Sequence, residues 1–241
     1  MYETDIIASQ YCEFHYGSEY FGVKNFTKSI VDIVLPYINN KSKALDIGCS
    51  VGRASFELKK EFDVVDGLDY SNKFIQIANQ MKKDKLLKYT NTSEGECTYV
   101  SQSSLEDLSL DINTKDLNFY QADAMNMKKE FKEYDLIIAV NLIDRLHTPL
   151  DFLNDVSSRL NQDGILLIAS PYTWLCEYTP KENWLGGYTK DGKDIKTIDG
   201  LHKALDDKFE LLKEDKIEFV IRETQNKYQH TVSNVSIWKL R

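Results

Sequence analysis

The sequence has 241 residues, enough for one large α/β domain with an extensive core or for at most two small domains. Its formal net charge of −8 argues against a nucleic-acid-binding surface, because such surfaces are normally basic. Hydrophobic residues make up 42% and charged residues 28% of the chain, which predicts an ordinary soluble globular protein.

The cysteine pattern and the absence of long apolar runs narrow the class further. The four cysteines are widely scattered, and no Cys-x-x-Cys or Cys/His pair has the spacing of a zinc site. No charged leader followed by an apolar stretch opens the sequence, and no apolar run approaches the length needed to span a membrane. We therefore expect a reduced, cytoplasmic protein without a metal site and without a nucleic-acid or membrane partner.

The N-terminal stretch, residues 1–26, is unusually aromatic, and Gly17 and Gly22 indicate breaks between short helices. Its rings either pack against the core or form a lid over a small planar ligand, because aromatic faces stack on rings and on sulfonium-type cations. Residues 27–38 then follow with apolar side chains at helical spacing, which predicts an amphipathic helix.

Residues 43–55 read K-A-L-D-I-G-C-S-V-G-R-A-S, the pattern of a short strand, a tight glycine turn and a helix start. Gly48 and Gly52 let backbone N–H groups approach a ligand closely. Asp46 stands where a dinucleotide-binding turn has its first glycine, and a carboxylate suits a cationic ligand better than a pyrophosphate. D-x-G-C-x-x-G resembles motif I of the class I methyltransferases that use S-adenosylmethionine (SAM). Taken alone, the pattern also fits any strand–turn–helix of an α/β protein.

Polar residues follow the next predicted strands in order. A strand over residues 64–68 ends at Asp69, 23 residues after Asp46, where an acid can bind both ribose hydroxyls. Asp123 follows the strand at residues 117–120 and either reads an adenine amino group or caps a turn. Asn141 follows a continuously apolar strand at residues 134–140. In a parallel sheet these ends share one edge, so the pattern predicts a nucleoside-type cofactor there.

The remaining segments are predicted from their spacing and composition. The insertion at residues 85–117 contains a β-hairpin and a short helical turn at residues 105–110, and a long aromatic loop at residues 171–188 is a candidate acceptor-side wall. The other predicted elements are a helix at 71–83, a helix at 150–160, a turn at 161–164, a strand at 165–170, a helix at 201–208 and closing strands at 209–220 and 231–238, joined through 221–230.

The whole chain resembles one methyltransferase family through motifs that extend well beyond motif I. They are Y-E-T-D near the start, Q-Y-x-E-F-H-Y-G-x-E-Y-F-G-V-x-N-F, A-L-D-I-G-C-S-V-G-R-A-S-F-E-L, N-L-I-D-R-L, S-P-Y-T-W-L, F-V-I-R-E-T and K-Y-Q-H-T-V. These look like the methyltransferase domain of ovothiol biosynthesis, a 4-mercaptohistidine N1-methyltransferase. In that family the domain typically lies behind an iron-dependent sulfoxide synthase, so a separate synthase is an expected partner.

The resemblance implies a Rossmann-like class I methyltransferase fold of the α/β class, with a seven-stranded, mostly parallel sheet, a C-terminal antiparallel hairpin and helices on both faces. We expect residues 1–241 to form one domain. Its parts are a helical aromatic lid (1–40), a SAM-binding core (41–170), the insertion (85–117), and an acceptor-side loop with closing strands (171–241).

The implied reaction moves a methyl group from SAM to an imidazole nitrogen of a thiol- or selenium-substituted histidine and leaves S-adenosylhomocysteine. Positioning and desolvation should dominate this in-line displacement. We expect cofactor contacts from eleven residues: Tyr16, Asp46, Gly48, Cys49, Gly52, Arg53, Asp69, Tyr70, Asp123, Ala124 and Asn141.

The acceptor contacts are expected mainly from the two ends of the chain. Arg222, with Glu223 beside it, is the first candidate to bind the acceptor carboxylate and Arg145 the second, the alternative being structural or surface ion pairs. His230 and His15 are candidate proton acceptors or structural histidines, and Asn141 is a third catalytic candidate. A mercaptoimidazole can also lose its own proton without an enzyme base. The remaining expected acceptor contacts are Tyr11, Tyr172, Trp174 and Tyr228.

Three other functions compete with this interpretation. The chain could methylate another small amine, thiol or acid, or it could be a non-catalytic SAM-binding partner of a sulfoxide synthase. The third is a nicotinamide oxidoreductase, which Asp46 in the glycine turn disfavours. Titration with SAM and with NAD separates the last from the others, and turnover separates an enzyme from a binding protein.

Overall fold

The computed structural model describes residues 4–241; Tyr2 and Glu3 of the Y-E-T-D motif lie outside the described residues. The helices are α1 Asp5–Tyr16, α2 Phe26–Val34, α3 Arg53–Lys59, α4 Asn72–Asp84, α5 Pro149–Val156 and α6 Thr197–Leu205. The strands are β1 Lys43–Ile47, β2 Val64–Asp69, β3 Leu86–Glu94, β4 Cys97–Ser104, β5 Leu117–Gln121, β6 Tyr134–Val140, β7 Leu160–Ser170, β8 Tyr188–Lys190, β9 Lys193–Ile195, β10 Phe209–Thr224 and β11 Lys227–Leu240.

Seven strands form one sheet in the order β10-β11-β7-β6-β1-β2-β5. The pairs from β7 to β5 are parallel, whereas β11 is antiparallel to both of its neighbours. This topology confirms the predicted Rossmann-like sheet with a closing antiparallel hairpin. The order reverses at β1, whose neighbours are β2 and β6, so a crevice opens at the carboxyl end of β1.

Two hydrophobic cores cover the two faces of this sheet. Alternate residues of β1 serve opposite faces, because side chains on a strand alternate: Ala44 joins the first core, while Leu45 and Ile47 join the second. Helices α1 to α4 supply the first core, and α5 and α6 supply the second. The near-continuous apolar runs of β1 and β6 follow from this burial on both faces, as predicted.

The insertion between α4 and β5 forms a separate two-stranded sheet, β3–β4, which confirms the predicted hairpin with longer strands. The predicted helical turn at residues 105–110 is wrong, since the chain forms non-helical turns there. The hairpin packs on α1: Asn91 Nδ2 donates to Glu13 Oε2 (2.8 Å), and Ser103 Oγ donates to the Tyr16 carbonyl (3.0 Å). The insertion therefore supports the N-terminal helix rather than standing free.

Several predicted boundaries differ from the structure. The predicted turn at residues 161–164 belongs to β7, with a register shift against β6 where its polar residues lie. Helix α6 begins at Thr197, four residues before the predicted start. The short hairpin β8–β9 was not predicted.

The largest difference concerns residues 221–230, predicted to connect the last two strands. They lie mostly in β10 and β11, which pair almost to their tips around residues 225 and 226. These residues are polar because the end of the hairpin extends beyond the core, so they lack the apolar alternation that identifies a half-buried strand.

Residues 4–241 contain no helix that is long and apolar enough to cross a membrane. Across this same range there is also no cluster of three or more His, Cys, Asp or Glu side chains arranged to hold a metal ion.

Candidate functional site

A cavity of about 740 Å³ opens at the carboxyl ends of β1, β2, β5 and β6, beneath α1, α2 and the distal part of the β10–β11 hairpin. Eleven of the predicted site residues line it, drawn from segments far apart in the chain. They are Tyr11, His15, Asp46, Gly48, Cys49, Asp69, Tyr70, Asp123, Ala124, Asn141 and Arg145.

The glycine turn forms one end of the cavity and is fixed by its backbone. The N–H groups of Gly48 and Cys49 both donate to the Leu68 carbonyl, at 2.8 and 2.9 Å. Gly52 has φ +93°, and a Cβ added there would lie 2.8 Å from Phe119 Cζ. Glycine is therefore required at Gly52 both by backbone conformation and by close packing. Burial raises the pKa of the Cys49 thiol, so this side chain remains neutral.

Asp46 is a buried carboxylate on the cavity wall. It is 2% exposed, and its Oδ2 accepts a hydrogen bond from Ser55 Oγ at 2.7 Å. Burial, aided by the nearby negative charge of Asp69 and opposed in part by the Ser55 hydrogen bond, raises the pKa of Asp46 to about 7. No Lys or Arg within residues 4–241 forms an ion pair with it. A cationic ligand in the cavity would favour the ionised form.

The other two strand-end acids are oriented by backbone N–H groups. Asp69 accepts from the N–H groups of Ser50 and Ser71, both at 2.8 Å. Asp123 Oδ1 accepts from the N–H of Met125 at 2.8 Å, so Asp123 caps a turn and also lines the cavity. The two interpretations of Asp123 are thus compatible.

Aromatic side chains from α1, α2 and β10 form the opposite wall of the cavity. The ring centroids of Phe26 and Phe219 are 4.7 Å apart, and those of Phe14 and Phe219 are 5.5 Å apart. The ring centroids of Tyr11 and Phe74, which lies on α4, are 4.9 Å apart. The His15 ring packs edge-to-face on Phe14, with the two ring centroids 5.3 Å apart. The wall is suited to a flat, weakly polar ring.

Arg145 supplies a positive charge at the same end of the cavity. Its Nη1 donates to Asp144 Oδ2 and to the Thr173 carbonyl, both at 2.9 Å, and its Nη2 donates to Thr173 Oγ1 at 2.9 Å. The guanidinium also lies 5.0 Å from the ring centre of Tyr178. Asp144 is 1% exposed, and its carboxylate holds the guanidinium in place by accepting the hydrogen bond from Nη1. A planar, oriented guanidinium on a cavity wall is suited to a carboxylate.

Asn141 has φ +51°, a backbone conformation that few non-glycine residues adopt. Its N–H donates to the Ala169 carbonyl at 2.7 Å, and its Oδ1 accepts from Ser233 Oγ at 2.8 Å. The second bond orients the amide so that its nitrogen remains a donor beside the cavity.

Three predicted cofactor contacts, at or next to the glycine turn, do not line the cavity. Tyr16 Oη donates to the Val51 carbonyl at 2.6 Å, and Gly52 packs against Phe119. Arg53 forms a buried ion pair with Glu57 at 2.7 Å. The side chains of Tyr16 and Arg53 are buried on the side of the turn that faces α1 and α3. Tyr16, Gly52 and Arg53 therefore support the turn instead of lining the cavity.

Two aromatic residues predicted to frame the acceptor also lie elsewhere. Trp174 is buried, with its Nε1 donating to Thr197 Oγ1 at 2.8 Å and its ring stacked on Trp184. Tyr172 lines a separate, more open cavity of about 800 Å³ beside β8, β9 and β10. Ser170 Oγ accepts from the Tyr172 N–H (3.0 Å), and at Tyr172 the chain leaves the sheet edge with φ +56°.

The predicted acceptor contacts on the closing hairpin point away from the cavity. Arg222 donates to Tyr99 Oη on β4, and Tyr228 packs on Tyr20 and Phe21. Alternation explains the placement of Arg222, Tyr228 and His230, because odd-numbered residues of these two strands line the cavity. Glu223 lies at the register shift near the tip of the hairpin. Glu223 binds Lys227 at 2.5 Å, and the exposed His230 lies 3.0 Å from Glu218. The structure thus places four predicted acceptor-site residues outside the cavity: Arg222, Glu223, Tyr228 and His230.

The residues missed on this hairpin are Phe219, Ile221, Gln229 and Thr231, which do line the cavity. They pair across the two strands, Phe219 with Thr231 and Ile221 with Gln229. Extending both predicted strands toward their shared turn would have revealed them, because alternation then assigns one set of residues to each face.

Comparison with known proteins adds three findings. The model of a family described as a methyltransferase domain matches residues 22–218. A comparison with curated proteins found no match. Many solved structures are similar to this chain.

Three of these solved structures illustrate the similarity. The N-methyltransferase NodS from Bradyrhizobium japonicum WM9, in complex with S-adenosyl-L-homocysteine, is 12% identical with a TM-score of 0.57, covering 98% of this chain and 99% of its own. A SAM-dependent methyltransferase from Methanosarcina mazei is 17% identical with a TM-score of 0.55, covering 86% and 96%. The PH0226 protein from Pyrococcus horikoshii OT3 is 17% identical with a TM-score of 0.55, covering 89% of each chain. Identities this low establish the shared fold.

Proposed function

The chain belongs to the methyltransferase-domain family and uses SAM as its methyl donor, and on that premise we propose that it N-methylates the imidazole ring of a thiol-substituted histidine such as 4-mercaptohistidine. The products are an ovothiol-type compound and S-adenosylhomocysteine. One observation carries the proposal: a single cavity joins the glycine turn at one end to an aromatic wall with an oriented arginine at the other.

The donor end supplies groups that complement SAM. Asp46 offers a carboxylate to the ammonium and sulfonium charges, Asp69 offers a hydrogen-bond acceptor to the ribose, and Asp123 faces the adenine side. The backbone N–H groups of the turn are already bonded to the Leu68 carbonyl, which keeps the turn rigid. The neighbour NodS, an N-methyltransferase with S-adenosyl-L-homocysteine bound, supports both this donor and a nitrogen acceptor atom.

The acceptor end complements a histidine derivative in two respects. Phe14, Phe26 and Phe219 provide faces and edges for an imidazole ring. Arg145, held by Asp144, provides a fork for the α-carboxylate and takes the role that the sequence assigned first to Arg222. The carboxylate and the ring of the acceptor thus contact different residues of the same cavity.

The methyl transfer needs no proton to leave during the step itself. An unprotonated ring nitrogen of the acceptor thiolate gives its lone pair to the SAM methyl carbon, while the C–S bond breaks and its electrons remain on sulfur. The ring keeps its N–H, and the methylated product is an imidazolium thiolate. The protein's task is therefore to align the two reactants and to exclude water.

The proposal extends to partner, location and organisation. An enzyme that attaches sulfur to the histidine ring must supply the acceptor, so we include a separate sulfoxide synthase as the upstream partner. All four cysteines are free thiols, which supports a reduced, cytoplasmic location. The cavity draws on the lid, the core and the closing strands, which supports residues 1–241 as one functional domain.

Product analysis tests the proposed function. Incubation of the protein with SAM and 4-mercaptohistidine should yield a product heavier by one methyl group, together with S-adenosylhomocysteine in equal amount, as measured by mass spectrometry. Plain histidine and an unrelated small thiol serve as control acceptors. Binding of SAM without any turnover of mercaptohistidine would contradict the proposal, and turnover of another thiol or amine alone would redirect it.

Replacing Arg222 by Ala should destabilise the protein by about 1–2 kcal/mol while leaving the acceptor KM within about twofold of wild type. Arg222 is buried and joins β10 to Tyr99 on β4, so its loss removes one contact between the two hairpins and none from the cavity lining. The Gln225 N–H still donates to the Ser93 carbonyl at 3.2 Å. Thermal unfolding and acceptor kinetics of the same preparation measure the two effects. A stable variant with a strongly raised acceptor KM would restore Arg222 to the site.

A further inference from the structure

His15 occupies a fixed place at the junction of the lid and the cavity. It lies on the buried side of α1, is 5% exposed, and lines the cavity. Its backbone carbonyl accepts hydrogen bonds from Asn25 Nδ2 at 3.1 Å and from Arg53 Nη1 at 3.2 Å. These two bonds tie the main chain of His15 to the start of α2 and to the glycine turn, so the ring is held by its own backbone and not by its nitrogens.

The imidazole nitrogen Nδ1 is buried and has no hydrogen-bond partner within residues 4–241. Its neighbours on the same helix are satisfied: Glu13 accepts from Tyr20 and Asn91, and Tyr16 donates to Val51. An unpaired buried polar atom lowers stability, and most buried polar groups in native proteins have a hydrogen-bond partner. A ligand in the cavity that His15 lines can supply the missing partner.

The surroundings keep the His15 ring neutral. Burial, followed by the positive charge of Arg53, lowers the pKa of His15 to about 3. A proton taken from the acceptor would create a second cation beside Arg53, in a cavity that would also hold the sulfonium of SAM. His15 is therefore suited to hydrogen bonding and unsuited to general-base catalysis.

We propose that neutral His15 accepts, through Nδ1, the hydrogen bond of the acceptor's ring N–H and thereby directs the other ring nitrogen toward the methyl donor. The proton of the neutral His15 ring then resides on Nε2, and no proton moves between His15 and the acceptor during the methyl transfer. This inference rests on the proposed function, because it requires an imidazole-type acceptor. It assigns His15 a role in choosing which ring nitrogen is methylated.

Three substitutions at one position test this role, because side-chain amides mimic single imidazole nitrogens. The amide of His15→Asn lies near the position of Nδ1, that of His15→Gln lies near Nε2, and His15→Phe keeps a ring without nitrogen. We expect His15→Phe to raise the acceptor KM by about tenfold or more, with a mixture of two N-methyl isomers by NMR. His15→Asn should stay within about threefold of wild type and keep the wild-type isomer, whereas His15→Gln should resemble His15→Phe.

Calorimetric binding of S-adenosylhomocysteine to each variant checks that the donor end is intact, and the affinity should stay within about twofold. Wild-type acceptor KM and isomer ratio in His15→Phe would overturn the role of His15 while leaving the proposed function in place. If His15→Phe does not fold, equal behaviour of His15→Asn and His15→Gln overturns it instead. Failure of the wild-type protein to methylate 4-mercaptohistidine would overturn the proposed function, and this inference with it.

Discussion

Asp46→Asn should weaken SAM binding by roughly 30- to 100-fold, equivalent to about 2–3 kcal/mol, the largest effect expected at the donor end. The substitution keeps the shape of the side chain and can keep the hydrogen bond from Ser55. It removes the negative charge that a buried site offers to the two positive charges of SAM. Isothermal titration of SAM into the wild type and the variant measures the difference.

The pH dependence of SAM binding gives an independent test of the same carboxylate. The pKa of Asp46 is raised to about 7 in the free protein, so a large share of the protein carries a neutral Asp46 below that pH. Binding of the ammonium and sulfonium groups of SAM favours the ionised form, so SAM affinity should rise with pH and level off above about 7. One pH unit below that point, the affinity should fall by about tenfold in the wild type. The Asn variant should lack this dependence.

Stability should change in the opposite direction from binding. Because the pKa of Asp46 is raised on folding, the folded protein holds a proton that the unfolded chain has already released. The free energy of unfolding therefore decreases as pH rises from the ordinary aspartate value of 3.8 to about 7. Asp46→Asn removes this loss, so above pH 7 the variant should be more stable than wild type by on the order of 2 kcal/mol. Denaturant unfolding at pH 5 and pH 8 measures the crossover.

Asp66→Asn is a matched control for Asp46→Asn. Asp66 is also buried, lies on β2 and accepts from Tyr134 Oη at 2.7 Å, but it does not line the cavity. Its substitution should lower stability and leave SAM affinity unchanged. Equal SAM affinity in the wild type and Asp46→Asn at pH 8 would remove Asp46 from the donor site.

The donor end of the cavity could be predicted from sequence because its residues are local to strand ends. Asp46 and Asp69 lie at the carboxyl ends of β1 and β2, Asp123 and Asn141 follow β5 and β6, and parallel strands place such ends along one edge. Placing these four residues at one edge needed no tertiary information beyond the βαβ pattern. The glycine turn could also be predicted from the sequence. Only glycine fits at Gly52, where φ is positive and the backbone lies close to Phe119.

The acceptor end could not be predicted to the same extent, because which side of a strand faces a cavity depends on where the strand begins and ends. Residues 221–230 are polar and were assigned to a connection, so no alternation was applied to them. With the strands extended, Arg222 and His230 fall on one face and Phe219 and Gln229 on the other. A one-residue change in that assignment exchanges the whole set, which is why the motif residues Arg222 and Tyr228 were misplaced.

Tyr16 and Arg53 show a second limit of sequence reasoning. They lie within or near motifs that contact the cavity, yet their side chains support the turn from the core side through Val51 and Glu57. Proximity in sequence to a glycine turn does not distinguish a residue that contacts a ligand from one that holds the turn in place. That distinction depends on side-chain direction, which tertiary packing determines.

Arg145→Ala should raise the KM for 4-mercaptohistidine by roughly 30- to 100-fold and leave SAM affinity within about threefold of wild type. The guanidinium is already oriented by Asp144 and Thr173, so little side-chain freedom is lost when a carboxylate binds. Arg145→Lys keeps the charge without the planar fork and should lie between wild type and Ala. Arg222→Ala is the matched control, an arginine outside the cavity.

The decisive comparison uses an acceptor in which hydrogen replaces the carboxylate. If Arg145 binds that carboxylate, the wild type should discriminate against the decarboxylated acceptor by about the same factor that Arg145→Ala costs with the full acceptor. Arg145→Ala should then have nearly the same KM for both acceptors, because removing the guanidinium already abolishes the interaction with the carboxylate. A variant that still prefers the carboxylated acceptor would show that another group binds it. Asp144→Asn, which loosens the guanidinium without removing it, should give a smaller loss in the same direction.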